Sequence, residues 1–430
     1  MRFVLTFLCL FLGYPLTASA RQLVSFSEYF KGSNLGPVKT REGAHFVVSW
    51  VNPRDEIVVD ALLSHIEKAD RELEPLFKNS SGSFKKVPIE IYPDLKTFSA
   101  VSQLPLARFK ATGTIALTLD QRLMLLSPRN LFSGYPWAVT VVHEYIHYLI
   151  REISMDHIPI WLHEGVAQLY QGFPYEKKAS LRPSQWGLFK KYRSKNELLS
   201  LETLKEPFPM RKDPEEAELA YIQALLFVQW LDQKCGAVQL IRWAEDLKGI
   251  DGALEKCTRM NRAQMNAAFV PEVMSKVVIP EGEDVAFFAR DFSGQDPAAV
   301  EGKDADRTAR NFAQLASKLF DQGRYRASAF EMDRAVQKTP APPPSWQRQL
   351  ALSLDKSGQT AKSEKVLSKL LNDYPDDAAG WYLMGRKAVD TKNSVSAWNA
   401  FLKAFYINPF LDGLEEEMRV LRERNPSLKF

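Results

Sequence analysis

Residues 137–150 read WAVTVVHEYIHYLI, and two histidines of this run stand four positions apart in the motif HEYIH at 143–147. The apolar spacing of the run predicts a helix. Four residues advance about 400° along a helix, so His143 and His147 share one face, one turn apart. Such a pair suits two ligands of one zinc ion, and Glu144, about 100° away, suits a general base that does not bind the metal. The alternative is an amphipathic helix whose histidines form hydrogen bonds within the core.

A second run, PIWLHEGVA at positions 159–167, predicts another helix, which carries Glu164. Together the two runs resemble the gluzincins, the thermolysin-like and aminopeptidase-like metallopeptidases. More narrowly they resemble peptidase-MA-type domains, whose second helix has the pattern W-L-x-E-G-x-A. The resemblance implies that His143, His147 and Glu164 are zinc ligands and that one coordination position is left for water, as in a catalytic site. Glu164 as an ordinary surface acid of a helix is the alternative.

Four further residues near these runs have expected roles. Gln168 stands where thermolysin-like enzymes place a carboxylate that orients the first histidine. His163 points about 100° away from Glu164 along the helix, so we expect it at a helix end or at the surface. His157 is expected to be structural, with a substrate contact as the alternative. The resemblance implies Tyr221 as the donor to the oxyanion of the reaction, and an ordinary core tyrosine is the alternative.

The segment upstream of the motif is expected to hold the substrate. The run at 112–119 is the expected edge strand along which a peptide would add. The polar segment 174–216, whose prolines include Pro183, Pro207 and Pro214, is the expected lid or cleft wall. The resemblance to the metallopeptidases implies a peptide or protein as the substrate.

The hydrophobic pattern before residue 128 predicts an α+β arrangement. Strands are predicted at 45–51, 87–92, 114–119 and 123–126, and helices at 57–77 and 95–102. From residue 136 the chain is predicted to be mostly helical. The resemblance adds the fold: a thermolysin-like, gluzincin metallopeptidase domain with a mixed N-terminal sheet and a helical C-terminal lobe.

The first 20 residues have the pattern of a cleavable signal peptide. Arg2 precedes a short apolar run at 4–13, and Ala18-Ser19-Ala20 is a small-x-small cleavage site. We therefore expect a secreted or periplasmic protein without a stable membrane anchor; a short buried helix is the alternative. Cys235 and Cys257 would form a disulfide in such a compartment, or remain two buried thiols.

The C-terminal third contains an internal repeat. Pro340, Pro375 and Pro409 recur at a spacing of about 34 residues, the period of the tetratricopeptide repeat. We predict a metallopeptidase domain at 21–277, a linker at 278–307, and an all-α solenoid of three such repeats with a capping helix at 308–430. A helical bundle with accidental spacing is the alternative. The groove of such a solenoid would bind a protein partner.

The composition of the chain argues against a nucleic-acid-binding protein. The chain is 45% hydrophobic and 25% charged with a net charge of +4, and it has no long basic run, so we expect no nucleic-acid partner. The predicted function is zinc-dependent hydrolysis of peptide bonds, with Glu144 as general base. Two alternatives remain: a repeat-bearing scaffold whose metal site is weakly active or inactive, and a hydrolase of cell-wall peptide amides.

Overall fold

The structure is a computed structural model, and it describes residues 25–77, 86–107, 109, 113–154, 158–175, 178–208, 211, 213–280, 305–340 and 342–428. The predicted signal peptide, His157, Thr112 and most of the predicted linker lie outside the described residues. The described chain forms two compact units. The first comprises 25–127, 138–181 and 188–280, and the second comprises 128–137, 182–187 and 305–428.

The first unit contains a mixed sheet, as predicted, and this sheet has five strands. Its strands are β1 (Lys39–Glu42), β2 (Phe46–Trp50), β3 (Val87–Tyr92), β4 (Ala116–Leu119) and β5 (Arg122–Leu126). Their order is β1-β2-β3-β5-β4, in which β3 is parallel to both β2 and β5, whereas β1 and β4 are antiparallel to their neighbours. Within the described residues β4 pairs with β5 alone, so it is an edge strand. The predicted strands are confirmed to within a few residues at their ends, and β1 was not predicted.

Helices cover the sheet and fill the rest of the first unit. The long helix α2 buries the apolar stripe that predicted it, and the Asp94 side chain caps the start of α3 by accepting from the Thr97 N–H at 2.9 Å. A disulfide between Cys235 and Cys257 joins the end of α7 to α9, which decides between the two alternatives for this pair. The helices are α1 (Phe26–Tyr29), α2 (Glu56–Phe77), α3 (Leu95–Ser102), α4 (Trp137–Ile153), α5 (Ile160–Tyr170), α6 (Pro183–Ser194), α7 (Pro214–Cys235), α8 (Ala237–Asp246), α9 (Ile250–Thr258) and α10 (Arg262–Ala268).

The second unit is built from helices that pack in consecutive pairs: α11 with α12, α13 with α14, and α15 with α16. A Cβ atom at Gly385 would lie 2.4 Å from the Phe401 ring, so α15 and α16 approach closely because this position has no side chain. The assignment of these pairs to the tetratricopeptide family stays a prediction. The helices are α11 (Arg307–Asp321), α12 (Tyr325–Gln337), α13 (Pro344–Lys356), α14 (Thr360–Asp373), α15 (Ala378–Asp390), α16 (Ser394–Phe405) and α17 (Leu414–Arg424).

The segment 128–137 packs within the second unit. Trp137 is fully buried and its indole N–H donates to the Phe405 carbonyl at 2.8 Å. Gly134 has a φ of +70°, and a Cβ there would lie 2.3 Å from the Ile407 carbonyl oxygen, so this turn requires glycine. Among the helices of the described residues, none is both long and apolar enough to cross a membrane.

Candidate metal centre

Helices α4 and α5 bring His143, His147 and Glu164 together. The two Nε2 atoms are 3.1 Å apart, and Oε2 of Glu164 lies 3.3 Å from Nε2 of His143 and 3.6 Å from Nε2 of His147. Zinc ligands at about 2.0–2.1 Å in a tetrahedron are separated by about 3.3 Å. The three side chains therefore have the spacing that one zinc ion needs. The donor set of two imidazoles and one carboxylate also suits this metal.

Apolar packing fixes the two helices that carry these side chains. One face of α4 is buried, and every residue of α5 from Trp161 to Tyr170 is buried. Gly165 lets α5 approach α7, because a Cβ at this position would lie 2.7 Å from the Ala224 carbonyl oxygen. The glycine of the W-L-x-E-G-x-A pattern thus has a packing reason next to Glu164.

Each histidine is held at its other ring nitrogen. The Nδ1 of His143 lies 3.0 Å from Oε1 of Gln171, which accepts a hydrogen bond from it. The Nδ1 of His147 lies 2.6 Å from Nδ1 of His163. Both Nε2 atoms therefore face the space shared with Glu164. A ligand histidine commonly has such a partner, because the partner fixes the tautomer and the ring orientation.

These contacts correct two predictions. Gln168 was expected to orient His143, but its Nε2 donates to the Tyr221 carbonyl at 3.0 Å, and Gln171 contacts the histidine instead. His163 was expected at a helix end or at the surface, but it is buried against His147. Helical rotation describes where Cα atoms lie, and the side chains of Gln171 and His163 reach across to α4.

The charged forms of Glu164 and His143 stabilise each other within the cluster. Burial works to raise the pKa of Glu164, but the charge of His147 and the hydrogen bonds from both histidines outweigh it and hold this pKa below its ordinary value. Burial works to lower the pKa of His143, while Glu164 raises it to a net value above the ordinary one. Burial followed by the neighbouring charge of His147 holds the pKa of His163 well below its ordinary value. Glu164 is thus kept as a carboxylate, and His163 as a neutral ring able to accept a proton from a neighbour.

Glu144 lies beside this cluster, buried on α4. The hydroxyl of Thr118, in the edge strand β4, lies 2.9 Å from Oε2 of Glu144 and 2.7 Å from its main-chain oxygen. Sequence reasoning predicted Glu144 and the strand but did not single out Thr118. The only available signal was the placement of a hydroxyl residue within the predicted edge strand.

The structure gives few contacts that bear on the roles of the other predicted site residues. Tyr221 lies in α7, where its main-chain oxygen accepts from Gln168 and its ring packs edge-on against Phe208 at 5.0 Å. Its role as an oxyanion donor stays a prediction. The segment 174–216 contains α6 and a short 3-10 turn at Thr203–Lys205, and its role as a lid stays a prediction.

A second group of potential ligands lies on the first unit at His45, Glu67 and Asp70. The two carboxylate oxygens of Asp70 already bind His45 and the Tyr145 hydroxyl. Oε1 of Glu67 accepts the main-chain N–H of His45 at 2.9 Å. These oxygens are satisfied by the protein itself, and the network ties β2 and α2 to the helix that carries the motif.

Comparison with known proteins agrees with the location of the site. A family model described as the Peptidase MA superfamily matches residues 76–257. The matched segment includes β3 to β5, both motif helices and α7, so it carries the whole cluster. The comparison therefore supports a Peptidase MA-like domain at these residues, which is the coarser form of the predicted resemblance. A search of curated proteins finds no match to the chain.

Proposed function

We propose that the chain is an exported zinc metallopeptidase of the gluzincin type, with His143, His147 and Glu164 as the metal ligands. The observation that carries the proposal is the spacing of their three ligand atoms, 3.1 to 3.6 Å, inside a segment similar to the Peptidase MA superfamily. The held Nδ1 atoms of both histidines support it, because each ring is already oriented for ligation through Nε2.

The chemistry follows from the residues around the cluster. A bound zinc would lower the pKa of a water molecule toward ~7 and polarise a carbonyl group. Glu144 is adjacent to His143 on the helix and is held by Thr118, so its carboxylate would accept the proton of the attacking water and return it to the leaving amine. Tyr221 is the proposed donor to the developing oxyanion.

The proposed substrate is an extended peptide or protein segment. The edge strand β4 has main-chain groups that an added strand would pair with, and it contacts Glu144 through Thr118. Strand addition would therefore bring a peptide bond next to the general base. The paired helices of the second unit are the proposed tetratricopeptide repeats, and we assign to them the binding of a protein partner.

Export is part of the proposal. The signal-like N-terminus supports a secreted or periplasmic location, and the disulfide between Cys235 and Cys257 is typical of proteins in oxidising compartments. The mature chain would begin near Arg21.

The experiment is a comparison of the zinc-loaded mature protein with its Glu144→Gln variant on a fluorogenic peptide library. We expect zinc in both proteins and a loss of turnover of at least about 10²-fold in the variant, the scale of general acid–base catalysis. Glu152→Gln, an exposed carboxylate of the same helix, is the matched control and should keep full activity. Equal turnover in the wild type and in Glu144→Gln would contradict the proposal, and a zinc-binding chain inactive on every peptide would favour the scaffold alternative.

A further inference from the structure

We propose that Thr118 is a positioning residue that holds the carboxylate of Glu144 and so couples the substrate-binding edge strand to the general base. This inference rests on the proposed function, because it gives a role to a residue of the same site. Thr118 would select which of the two carboxylate oxygens of Glu144 reacts.

The geometry singles out one hydroxyl. Oγ1 of Thr118 lies 2.9 Å from Oε2 of Glu144 and 2.7 Å from the Glu144 main-chain oxygen, across 26 positions of sequence. This hydrogen bond to the Glu144 side chain comes from β4, outside the metal cluster. Thr118 itself is partly buried in β4, paired across the sheet with Leu123.

The donors and acceptors of Thr118 and Glu144 show what their contact does. An ionised carboxylate only accepts, and the threonine hydroxyl has one proton to donate. The two acceptors of Glu144 therefore share that proton, and the main-chain oxygen ties the hydroxyl to α4 independently of the carboxylate. A hydrogen bond to an ionised group is stronger than one between neutral groups. Thr118 thus holds Oε2, and we assign to Oε1 the acceptance of the proton from water.

The side chain is also stiff. Threonine is branched at Cβ, which restricts its χ1 angle, and its backbone is fixed by the ladder with β5. The Glu144 carboxylate is therefore held by β4 as well as by its own helix. A peptide that pairs with β4 would act on the same strand that carries Thr118, so substrate seating and base orientation are coupled through this residue.

The first test measures steady-state kinetics of the zinc-loaded Thr118→Val variant, which keeps the Cβ branch and removes the hydroxyl. We expect kcat to fall about tenfold to hundredfold, the range for loss of a hydrogen bond to a charged group. KM and zinc affinity should stay within about threefold of wild type, because neither the strand backbone nor the ligands change. Thr118→Ser should recover most of kcat, since it restores the hydroxyl.

Thr40→Val is the matched control, since Thr40 is an exposed threonine in β1, at the opposite edge of the sheet. It should match the wild type in every quantity. An unchanged kcat in Thr118→Val, or a Thr118→Ser variant as slow as Thr118→Val, would overturn the inference. Thr118→Ala serves as a second variant if the valine protein does not fold.

The second test does not depend on activity. Thermal or urea unfolding of Thr118→Val, Glu144→Ala and the double variant forms a cycle in which the bond to the main-chain oxygen cancels and the bond to the carboxylate remains. We expect the effects on the unfolding equilibrium constant to be non-additive by about threefold or more. Additive effects would overturn the inference even in an active enzyme. A non-additive cycle in a protein without peptidase activity would overturn the proposed function and leave the contact intact.

Discussion

The Nδ1 atom of His143 lies 3.0 Å from Oε1 of Gln171, the C-cap residue that follows α5, so the first histidine of the motif is oriented by an amide seven positions beyond Glu164. This contact places the partner of the histidine at the C-terminal end of the helix that carries the third ligand. A shift of α5 relative to α4 would therefore disturb both the carboxylate and the orientation of the ring.

Replacing Gln171 should weaken zinc binding. We expect Gln171→Ala to lower zinc affinity by about tenfold to hundredfold, since loss of a partner of a ligand histidine has effects of this size. Gln171→Glu should preserve or increase the affinity, because a carboxylate accepts the same hydrogen bond. Competition titration against a chelator of known affinity measures both.

Gln168→Ala is the informative comparison for that titration. Its side chain binds the Tyr221 carbonyl rather than a histidine, so we expect a change in zinc affinity of less than about threefold. A larger loss in Gln168→Ala than in Gln171→Ala would restore the assignment made from sequence and contradict the observed contact.

His163 should act on the second histidine in the same way. A His147 ring that binds zinc through Nε2 carries its proton on Nδ1, and the neutral His163 accepts it across 2.6 Å. His163→Phe keeps a ring of similar shape but removes the acceptor, so we expect at least about tenfold weaker zinc binding. His163→Asn, which keeps an acceptor, should lose less. Equal affinity in wild type and His163→Phe would remove this role.

Gly165→Ala should destabilise the first unit although alanine is the better helix former by about 1 kcal/mol. The added methyl would lie 2.5 Å from Val228 and 2.7 Å from the Ala224 carbonyl oxygen, and backbone cannot yield as a side chain does. We expect a loss of about 1–3 kcal/mol in the free energy of unfolding, with weaker zinc binding because α5 must move.

Gly252→Ala provides the contrast for the urea-unfolding measurement. Gly252 lies in α9, and the atoms nearest to its added methyl belong to the flexible Leu247 side chain, at 3.2 Å and beyond. We expect it to be neutral or stabilising. A Gly165→Ala protein as stable as wild type would show that α5 and α7 are not in close contact in solution.

The buried His65 of α2 should make the unfolding free energy depend on pH. Burial lowers its pKa to about 4, and the hydrogen bond with the Ala138 backbone opposes this only in part. Between pH 6.5 and 4 the unfolded chain binds a proton that the folded protein does not, so stability is present above pH 6.5 and is lost as the pH falls through this window.

Urea unfolding from pH 4 to 8 measures this loss. His65→Gln should lose less stability than the wild type on acidification, by up to about 3 kcal/mol at pH 4. The comparison of the two proteins cancels the contribution of the metal ligands, which both contain. Parallel pH profiles would contradict the assignment of the acid sensitivity to His65.

Many strands and helices of the first unit could be predicted because each is marked in the sequence by an apolar pattern or a capping residue. The strand Val87–Tyr92 and the helix Leu95–Ser102 were predicted to the residue, since an apolar run is followed by a cap at Asp94. β1 was missed because all of its side chains are exposed and polar, so no hydrophobic alternation marks it. Its pairing with β2 is decided by the sheet and not by its own sequence.

In the candidate site, too, some residues could be predicted from the sequence and others could not. The positions of His143, His147 and Glu164 follow from helical periodicity and a motif, and the structure brings them together. Their partners Gln171, His163 and Thr118 depend on how α4, α5 and β4 pack, and one-dimensional spacing contains no such information. The sequence therefore predicts which residues act on the metal better than which residues orient them.

The central claim is that His143, His147 and Glu164 bind one zinc ion, and X-ray absorption at the zinc edge of the zinc-loaded mature protein tests it most directly. We predict one zinc per chain with four nitrogen and oxygen ligands at about 2.0–2.1 Å and the multiple scattering of two imidazoles. His147→Ala should lose one imidazole from this signature. A sulfur ligand, a shell without histidine, or a protein that retains no zinc after gel filtration would contradict the claim.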